Sequence, residues 1–302
     1  MNIIETKDLV KKYGGLPVID HVNIHIPEGS IYGFVGENGS GKTTIMRLIT
    51  GLAEPTEGTY TLCGVDRKDK GIFAARKQMS AIVELTSLVP TMTAKENMIY
   101  QELYLGIRLT DPERDELLKL VHLEEVGKKK VKNFSLGMRQ RLGIALCLIN
   151  HPKIMLLDEP MNGLDPQGIA ELRELLVELN QKEGITVLIS SHILSELEKI
   201  ATHYGFISHG RLLEELTLEE LNEKGRKSLM ATVDDVEKAK KCLTALGLKD
   251  FHISPTGEVR IYDECDIGRV VSALSKNEVK ILTIRSNEES VEEYYLNLVK
   301  GR

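Results

Sequence analysis

Nine consecutive residues, Gly36-Glu37-Asn38-Gly39-Ser40-Gly41-Lys42-Thr43-Thr44, carry the clearest chemistry in a chain of 302 residues. Gly36, Gly39 and Gly41 let backbone N–H groups come close to a ligand, while Lys42 adds a cation and Thr43 a hydroxyl. A loop of this kind between a strand and a helix holds the phosphates of a nucleotide: the amides cradle the anion, the lysine reaches the β- and γ-phosphates, and the hydroxyl serves Mg²⁺. Mg²⁺ prefers hard oxygen ligands, so a carboxylate is expected at the end of a neighbouring strand. Asp158 meets that need after the apolar run Ile154-Met155-Leu156-Leu157, and Glu159 follows directly. Two adjacent carboxylates can divide the work, Asp158 facing the metal and Glu159 acting as the base that polarises water.

The elements that must hold these groups are legible around them. Ile3 to Ile26 reads as two strands about a Gly14-Gly15 turn, and Ser30 to Val35 as a short apolar strand that runs into the glycine-rich loop. Ile45, Leu48 and Ile49 recur at helical spacing after Lys42. A mostly helical stretch is expected from about Thr93 to Ile149, opened by the capping box Thr93-Ala94-Lys95-Glu96, with Asp111-Pro112 as a second start placing proline at the first helical position. The strand Ile154–Leu157, a helix through Leu172, Leu175, Leu176 and Leu179, and the strand Thr186–Ile189 follow. Strands alternating with helices define an α/β chain with a parallel sheet covered on both faces. Beyond about Lys224 the pattern becomes that of a compact α+β tail: strand Leu229–Val233, a helix from Val236, two strands around Pro255-Thr256-Gly257, a helix from Ile267, strand Val279–Ile284 and a last helix through Tyr294, Tyr295 and Leu298.

Composition excludes several roles. A net charge of −6 provides no general attraction for nucleic acid, and Lys128-Lys129-Lys130 reads as a solvated turn. Four cysteines without a Cys-x-x-Cys pair argue against a zinc site or a disulfide framework and suit a reducing cytosol. The first ten residues include Glu5 and Asp8 and do not read as a signal peptide. The longest apolar stretch, Ile144 to Ile149, falls far short of the roughly 20 residues needed to cross a bilayer. Any membrane role is therefore expected to come through a partner.

Between the glycine-rich loop and the acidic strand lies Phe134-Ser135-Leu136-Gly137-Met138-Arg139-Gln140-Arg141, which resembles the signature motif of the ABC transporter ATPases. The resemblance covers about residues 1–220 and adds, in order, Gly163-Leu164-Asp165, like the loop through which two protomers touch, and His192, like the switch histidine at the γ-phosphate. Tyr13 corresponds to the aromatic that stacks on adenine. Glu84 falls where the family usually has glutamine, and Leu136 replaces the first glycine of the signature. Both departures resemble the lantibiotic-immunity and bacitracin-resistance branch. A carboxylate at 84 can still face Mg²⁺ or the attacking water, but it adds negative charge near Glu159. At Leu136 a positive φ would be costly.

The resemblance implies a P-loop NTPase core with a mixed β-sheet, an antiparallel β subdomain and an α-helical signature subdomain at about 93–150; the tail pattern adds a small accessory domain over 225–302. It implies ATP and Mg²⁺ as ligands and a homodimer of ATPase subunits that sandwiches two nucleotides. Each nucleotide lies between one protomer's Lys42 loop and the other's Ser135, Leu136, Gly137 and Met138. It also implies a separate integral membrane permease, a place at the cytoplasmic face of the membrane, and ATP-driven export, for instance of a peptide antibiotic or drug. The alternative is an ABC ATPase with a non-transport role, in repair, translation or cofactor assembly, or an ATP-gated regulatory module.

Overall fold

A computed structural model describes residues 1–84, 87–224, 228–254, 256–263, 265–287 and 291–300. The chain divides into two compact units, Met1–Leu218 and Glu219–Arg302.

The first unit opens with β1 (Asn2–Tyr13), β2 (Leu16–Val22) and β3 (His25–Pro27). Gly14 and Gly15 both have positive φ, 57° and 84°, which a two-residue hairpin turn requires, and Tyr13 pairs with Leu16 across it. The second of the two expected strands is broken in two. The Thr6 hydroxyl donates to Val22 O (2.9 Å) and accepts from Ile24 N–H (2.8 Å), replacing ladder bonds where the chain bends between β2 and β3. After β4 (Ile31–Val35) and α1 (Lys42–Thr50) come β5 (Glu57–Leu62) and β6 (Val65–Asp66). The outer antiparallel sheet has the order β2-β1-β5-β6, with β3 also paired to β1.

A second sheet carries the chemistry. Following α2 (Ile72–Arg76), its remaining strands are β7 (Met79–Ile82), β8 (Ile154–Asp158), β9 (Thr186–Ser191), β10 (His203–Ser208) and β11 (Arg211–Thr217). The order is β11-β10-β4-β9-β8-β7, parallel throughout except for β11. Every residue of β4, β8 and β9 is buried, as mainly apolar parallel strands covered on both faces should be, with Thr186, Ser190 and Ser191 the buried hydroxyls of β9. Ile45, Leu48 and Ile49 of α1 join Ile4, Leu9, Tyr60, Ile154 and Leu188 in one core, so the helix that follows the glycine-rich loop is clamped between the two sheets.

Between β7 and β8 lie α3 (Ala94–Leu105), α4 (Asp111–Leu120) and α5 (Leu136–Leu148). Thr93 and Glu96 form the expected capping box. At α4 the cap is Thr110, which forms a second box with Glu113, so Pro112 occupies the second helical position rather than the first. The helix α6 (Pro166–Glu183) turns Leu172, Leu175, Leu176 and Leu179 inward, and α7 (Leu194–Leu197) follows β9.

The second unit takes up after Leu218, with α8 (Leu218–Lys224) at the junction. It contains β12 (Ser228–Val233), α9 (Val236–Ala245), β13 (Phe251–Ile253), β14 (Glu258–Ile261), α10 (Ile267–Lys276), β15 (Ile281–Asn287) and α11 (Val291–Lys300). Its antiparallel sheet runs β13-β14-β12-β15, the β-α-β-β-α-β arrangement of a split βαβ fold. The strand expected from Val279 begins two residues later. Glu278 is left-handed (φ 59°) and Val279 N–H returns to Leu274 O (3.0 Å), so buried Val279 ends α10 instead of starting β15. Pro255, at the expected turn, and residue 225, the expected start of the tail domain, lie outside the described residues.

Candidate functional site

β4 delivers the chain into the glycine-rich loop, and α1 carries it away. Gly39 (φ 82°) and Gly41 (φ 112°) hold backbone conformations that side chains resist. A Cβ on Gly36 would stand 2.6 Å from Ile207 O, and one on Gly41 would stand 2.6 Å from Ile19 Cδ1. The loop is therefore shaped by close packing, not only by turn propensity. Gly41 caps α1 without any side-chain bond, which leaves the first-turn N–H groups of that helix to an anion. Lys42 is only 5% exposed; its Nζ donates to Gly36 O (2.6 Å) and Glu37 O (3.1 Å), so the ammonium is folded back over the cradle. Buried Ser40 Oγ has no hydrogen-bond partner. Glu37, Asn38 and Gly39 form the exposed rim, and Thr44 is half-buried on α1.

A chain of hydrogen bonds joins this loop to the acidic strand. Thr43 Oγ1 donates to Asp158 Oδ2 (2.7 Å), and Ser190 Oγ donates to Asp158 Oδ1 (2.7 Å). Ser190 Oγ also accepts from Glu159 N–H (2.9 Å). The parallel register sets Asp158 opposite Ser190, so the ends of β8 and β9 share one network. Glu159 sits in the left-handed region (φ 50°), a position costing a non-glycine residue about 1 kcal/mol that its Ser190 bond helps to hold. One carboxylate oxygen, Oε2, lies 2.7 Å from His192 Nδ1, a hydrogen bond when the ring proton is on that nitrogen. The other, Oε1, stands 3.2 Å from Lys42 Nζ. That contact is ionic rather than directional, because buried Oε1 has no hydrogen-bond partner.

Glu84 stands at the end of β7 in a left-handed conformation (φ 71°), and its carboxylate is taken by Arg47 of α1. The negative charge expected near Glu159 thus comes with a guanidinium. Tyr13, at the end of β1, is 46% exposed with Lys11 Nζ 4.8 Å from the ring centroid.

The signature residues open α5 in the same unit. Ser135 caps α5 by accepting from Met138 N–H (3.2 Å). Leu136 is the first helical residue and does not have positive φ, so the strain considered for it does not arise. Its Cδ2 would approach a Cβ on Gly163 to 3.1 Å, and Leu164 Cδ2 would approach one on Gly137 to 3.7 Å. The start of α5 therefore packs on the Gly163-Leu164-Asp165 loop, whose Asp165 caps α6 by accepting from Gly168 N–H. Among the described residues no hydrogen bond or ion pair links Ser135–Met138 to Gly36–Thr44.

Sequence reasoning missed Ser190 and Arg47 as site residues. A hydroxyl two residues before His192, on a buried strand beside the acidic one, was the available signal for Ser190. Arg47 lies one turn beyond Thr43, and its partner could not be read without the fold.

A strand, a glycine loop with a buried lysine, a helix, and a carboxylate on a neighbouring parallel strand bonded to the loop hydroxyl together define a P-loop nucleotide-binding protein. Residues 19–162 match the ABC transporter family. The chain is 39% identical to the bacitracin transport ATP-binding protein BcrA of Bacillus licheniformis, over 99% of this chain and 98% of that protein. It is 42% identical to the lantibiotic transport ATP-binding protein SrtF of Streptococcus pyogenes, over 70% of this chain and 90% of that one. Among solved structures, it resembles an ATP-binding subunit of an ABC transporter with a TM-score of 0.64 at 30% identity, covering 74% of this chain and 92% of that one. A dimeric ATP-binding cassette in a post-hydrolysis state, bound to ADP and Pi, gives a TM-score of 0.63 at 28% identity over 71% of this chain and 98% of that one. The chain belongs to the ABC transporter family and is an ATP-binding subunit of it.

Proposed function

We propose that this chain hydrolyses Mg·ATP as a dimer and thereby drives a separate membrane permease that exports a peptide antibiotic of the bacitracin or lantibiotic kind. The observation that carries the catalytic part is the continuous network Thr43–Asp158–Ser190–Glu159–His192 beside a glycine cradle. The residues fit the ligand: the cradle has no room for side chains at Gly36 and Gly41, and the α1 amides have no side-chain cap. Thr43 and Asp158 present hard oxygens suited to Mg²⁺. When bound, the cation supplies charge neutralisation of the phosphates.

Each residue then has a task. Lys42 exchanges its loop carbonyls for phosphate oxygens, which also releases its contact with Glu159. Glu159 holds and polarises a water, with Ser190 fixing its backbone and His192 orienting its carboxylate. Tyr13, exposed at the end of β1, offers a face for adenine. The helix start at Ser135, Leu136, Gly137 and Met138 would complete the site of a second copy. The dimeric state of the post-hydrolysis cassette favours that arrangement, as does the absence, among the described residues, of any hydrogen bond or ion pair between this helix start and its own cradle.

The permease reading rests on two supports. Among the described residues no helix is long and apolar enough to cross a membrane. A groove of about 590 Å³ between α3, α5 and β7, lined in part by Leu52, Ala81, Tyr100, Tyr104, Leu105 and Leu146, leaves Leu52 (71% exposed) and Tyr104 (83%) open. These open side chains offer contacts to a partner, and the strand β7 on the floor of the groove leads toward Glu84. The cargo reading rests on the names of the relatives. The test is to purify the tagged chain from native membranes in detergent and to delete it from its host. A hydrophobic partner of several spans should co-purify, and bacitracin sensitivity should rise on deletion and be rescued by wild type but not by Glu159→Gln. Unchanged sensitivity to bacitracin and to lantibiotics would refute the cargo; the absence of a membrane partner would refute the transport role.

A further inference from the structure

Arg47 has no part in the roles set out above. It lies on α1 four residues after Thr43, so both side chains share one face of the helix. Thr43 reaches Asp158 from that face, and Arg47 reaches Glu84. Glu84 favours the protonated guanidinium most strongly, and the Asp158 charge adds to the effect. Two cations, Lys42 and Arg47, therefore stand among three carboxylates, Glu84, Asp158 and Glu159. The Arg47–Glu84 pair is partly exposed, at 39% and 56%, and a pair in that setting contributes little to folding stability. Phosphate approaching an uncompensated third carboxylate would be repelled, whereas a paired carboxylate is close to electrically neutral.

We propose that Arg47 is a positioning and charge-compensating residue: it neutralises Glu84 and fixes that carboxylate against α1, so that glutamate at 84 is compatible with triphosphate binding. This rests on the reading of the Gly36–Thr44 loop as the nucleotide site. The two residues form one functional unit, and neither should be altered alone without consequence.

The experiment is equilibrium binding of a fluorescent ATP analogue with Mg²⁺ to the full chain, without turnover, for wild type and the variants Arg47→Gln, Arg47→Lys, Glu84→Gln and Arg47→Gln/Glu84→Gln. Arg47→Gln should weaken binding about tenfold, with a smaller deficit at high salt because screening removes the repulsion. Arg47→Lys should recover most of that loss. Glu84→Gln alone should bind a few-fold more tightly than wild type, an outcome that does not depend on whether the Arg47 variants fold. The double variant should return to within about twofold of wild type, since the charge removed equals the charge restored. A double variant as weak as Arg47→Gln would mean that Arg47 acts on the nucleotide itself and would overturn the proposal, as would Glu84→Gln binding no tighter than wild type. Lys42→Ala, included alongside, separates this failure from that of the site: if it binds as wild type does, the loop reading falls, whatever Arg47 does.

Discussion

Replacing Ser190 with alanine removes one oxygen that serves two groups. Ser190 is fully buried, and its hydroxyl donates to Asp158 Oδ1 while accepting from Glu159 N–H. A hydrogen bond to a charged group contributes about 1.5–3 kcal/mol, and leaving a buried donor unpaired costs about 1–3 kcal/mol. The two losses share one atom and do not add fully, so Ser190→Ala should destabilise the Met1–Leu218 unit by about 2–4 kcal/mol. The functional loss should be distinct from the stability loss. Glu159 holds a left-handed backbone whose N–H bond would be gone, and a carboxylate displaced by a fraction of an ångström is a poorer base. At temperatures where the variant remains folded, kcat for ATP should fall at least about tenfold while KM changes by less than about threefold. Urea denaturation followed by circular dichroism measures the first effect, and phosphate release under saturating Mg·ATP the second. A stability change below about 0.5 kcal/mol together with an unchanged kcat would refute the claim that Ser190 couples the metal carboxylate to the base.

Two further outcomes probe the helical segment. Glu102 is 3% exposed and accepts from Arg114 Nε and Nη2 (both 2.7 Å) and from Leu109 N–H; Glu102→Leu should cost about 3 kcal/mol by leaving the buried Arg114 guanidinium with Asp111 (2.8 Å) as its one remaining carboxylate among the described residues, and Glu102→Leu/Arg114→Met should recover most of it in the same urea assay. Glu96 accepts from Thr93 N–H and from Lys130, which hold its carboxyl down at about 2. A depressed folded pKa gives stabilisation present above the ordinary 4.5 and lost as pH falls toward 2, so carboxyl NMR should show a Glu96 midpoint near 2; a midpoint near 4.5 would disprove the capping box in solution.

The phosphate loop and the acidic strand were legible because their residue types are dictated locally, whereas the signature was read from its family resemblance. Glycines at 39 and 41 are needed by backbone conformation, and a buried parallel strand reads as a mainly apolar run, as Ile154–Leu157 does. The α/β class followed from the same alternation, and the structure has that architecture. What stayed hidden depended on pairing at a distance. The break between β2 and β3 depends on the Thr6 hydroxyl substituting for ladder bonds, which no pattern in Ile3–Ile26 reveals. Strands β5, β6 and β11 mix exposed and buried residues or lie at sheet edges, where periodicity is weak. The start of β15 was misread because Val279 is apolar for a different reason, packing at the end of α10. The partners of Asp158 and Glu84 on other elements, Ser190 and Arg47, could be assigned only once strand register and helix phase were known.

The central claim is that Glu159 activates water in a site that two copies close around ATP. It is tested most directly with Glu159→Gln, measuring ATP turnover and, by light scattering after gel filtration in Mg·ATP, molecular mass. The account predicts turnover reduced about 10²–10⁴-fold with nucleotide still bound and a stable dimer of about twice 33.8 kDa. Turnover at the wild-type rate, or ATP-loaded protein that stays a monomer, would contradict it.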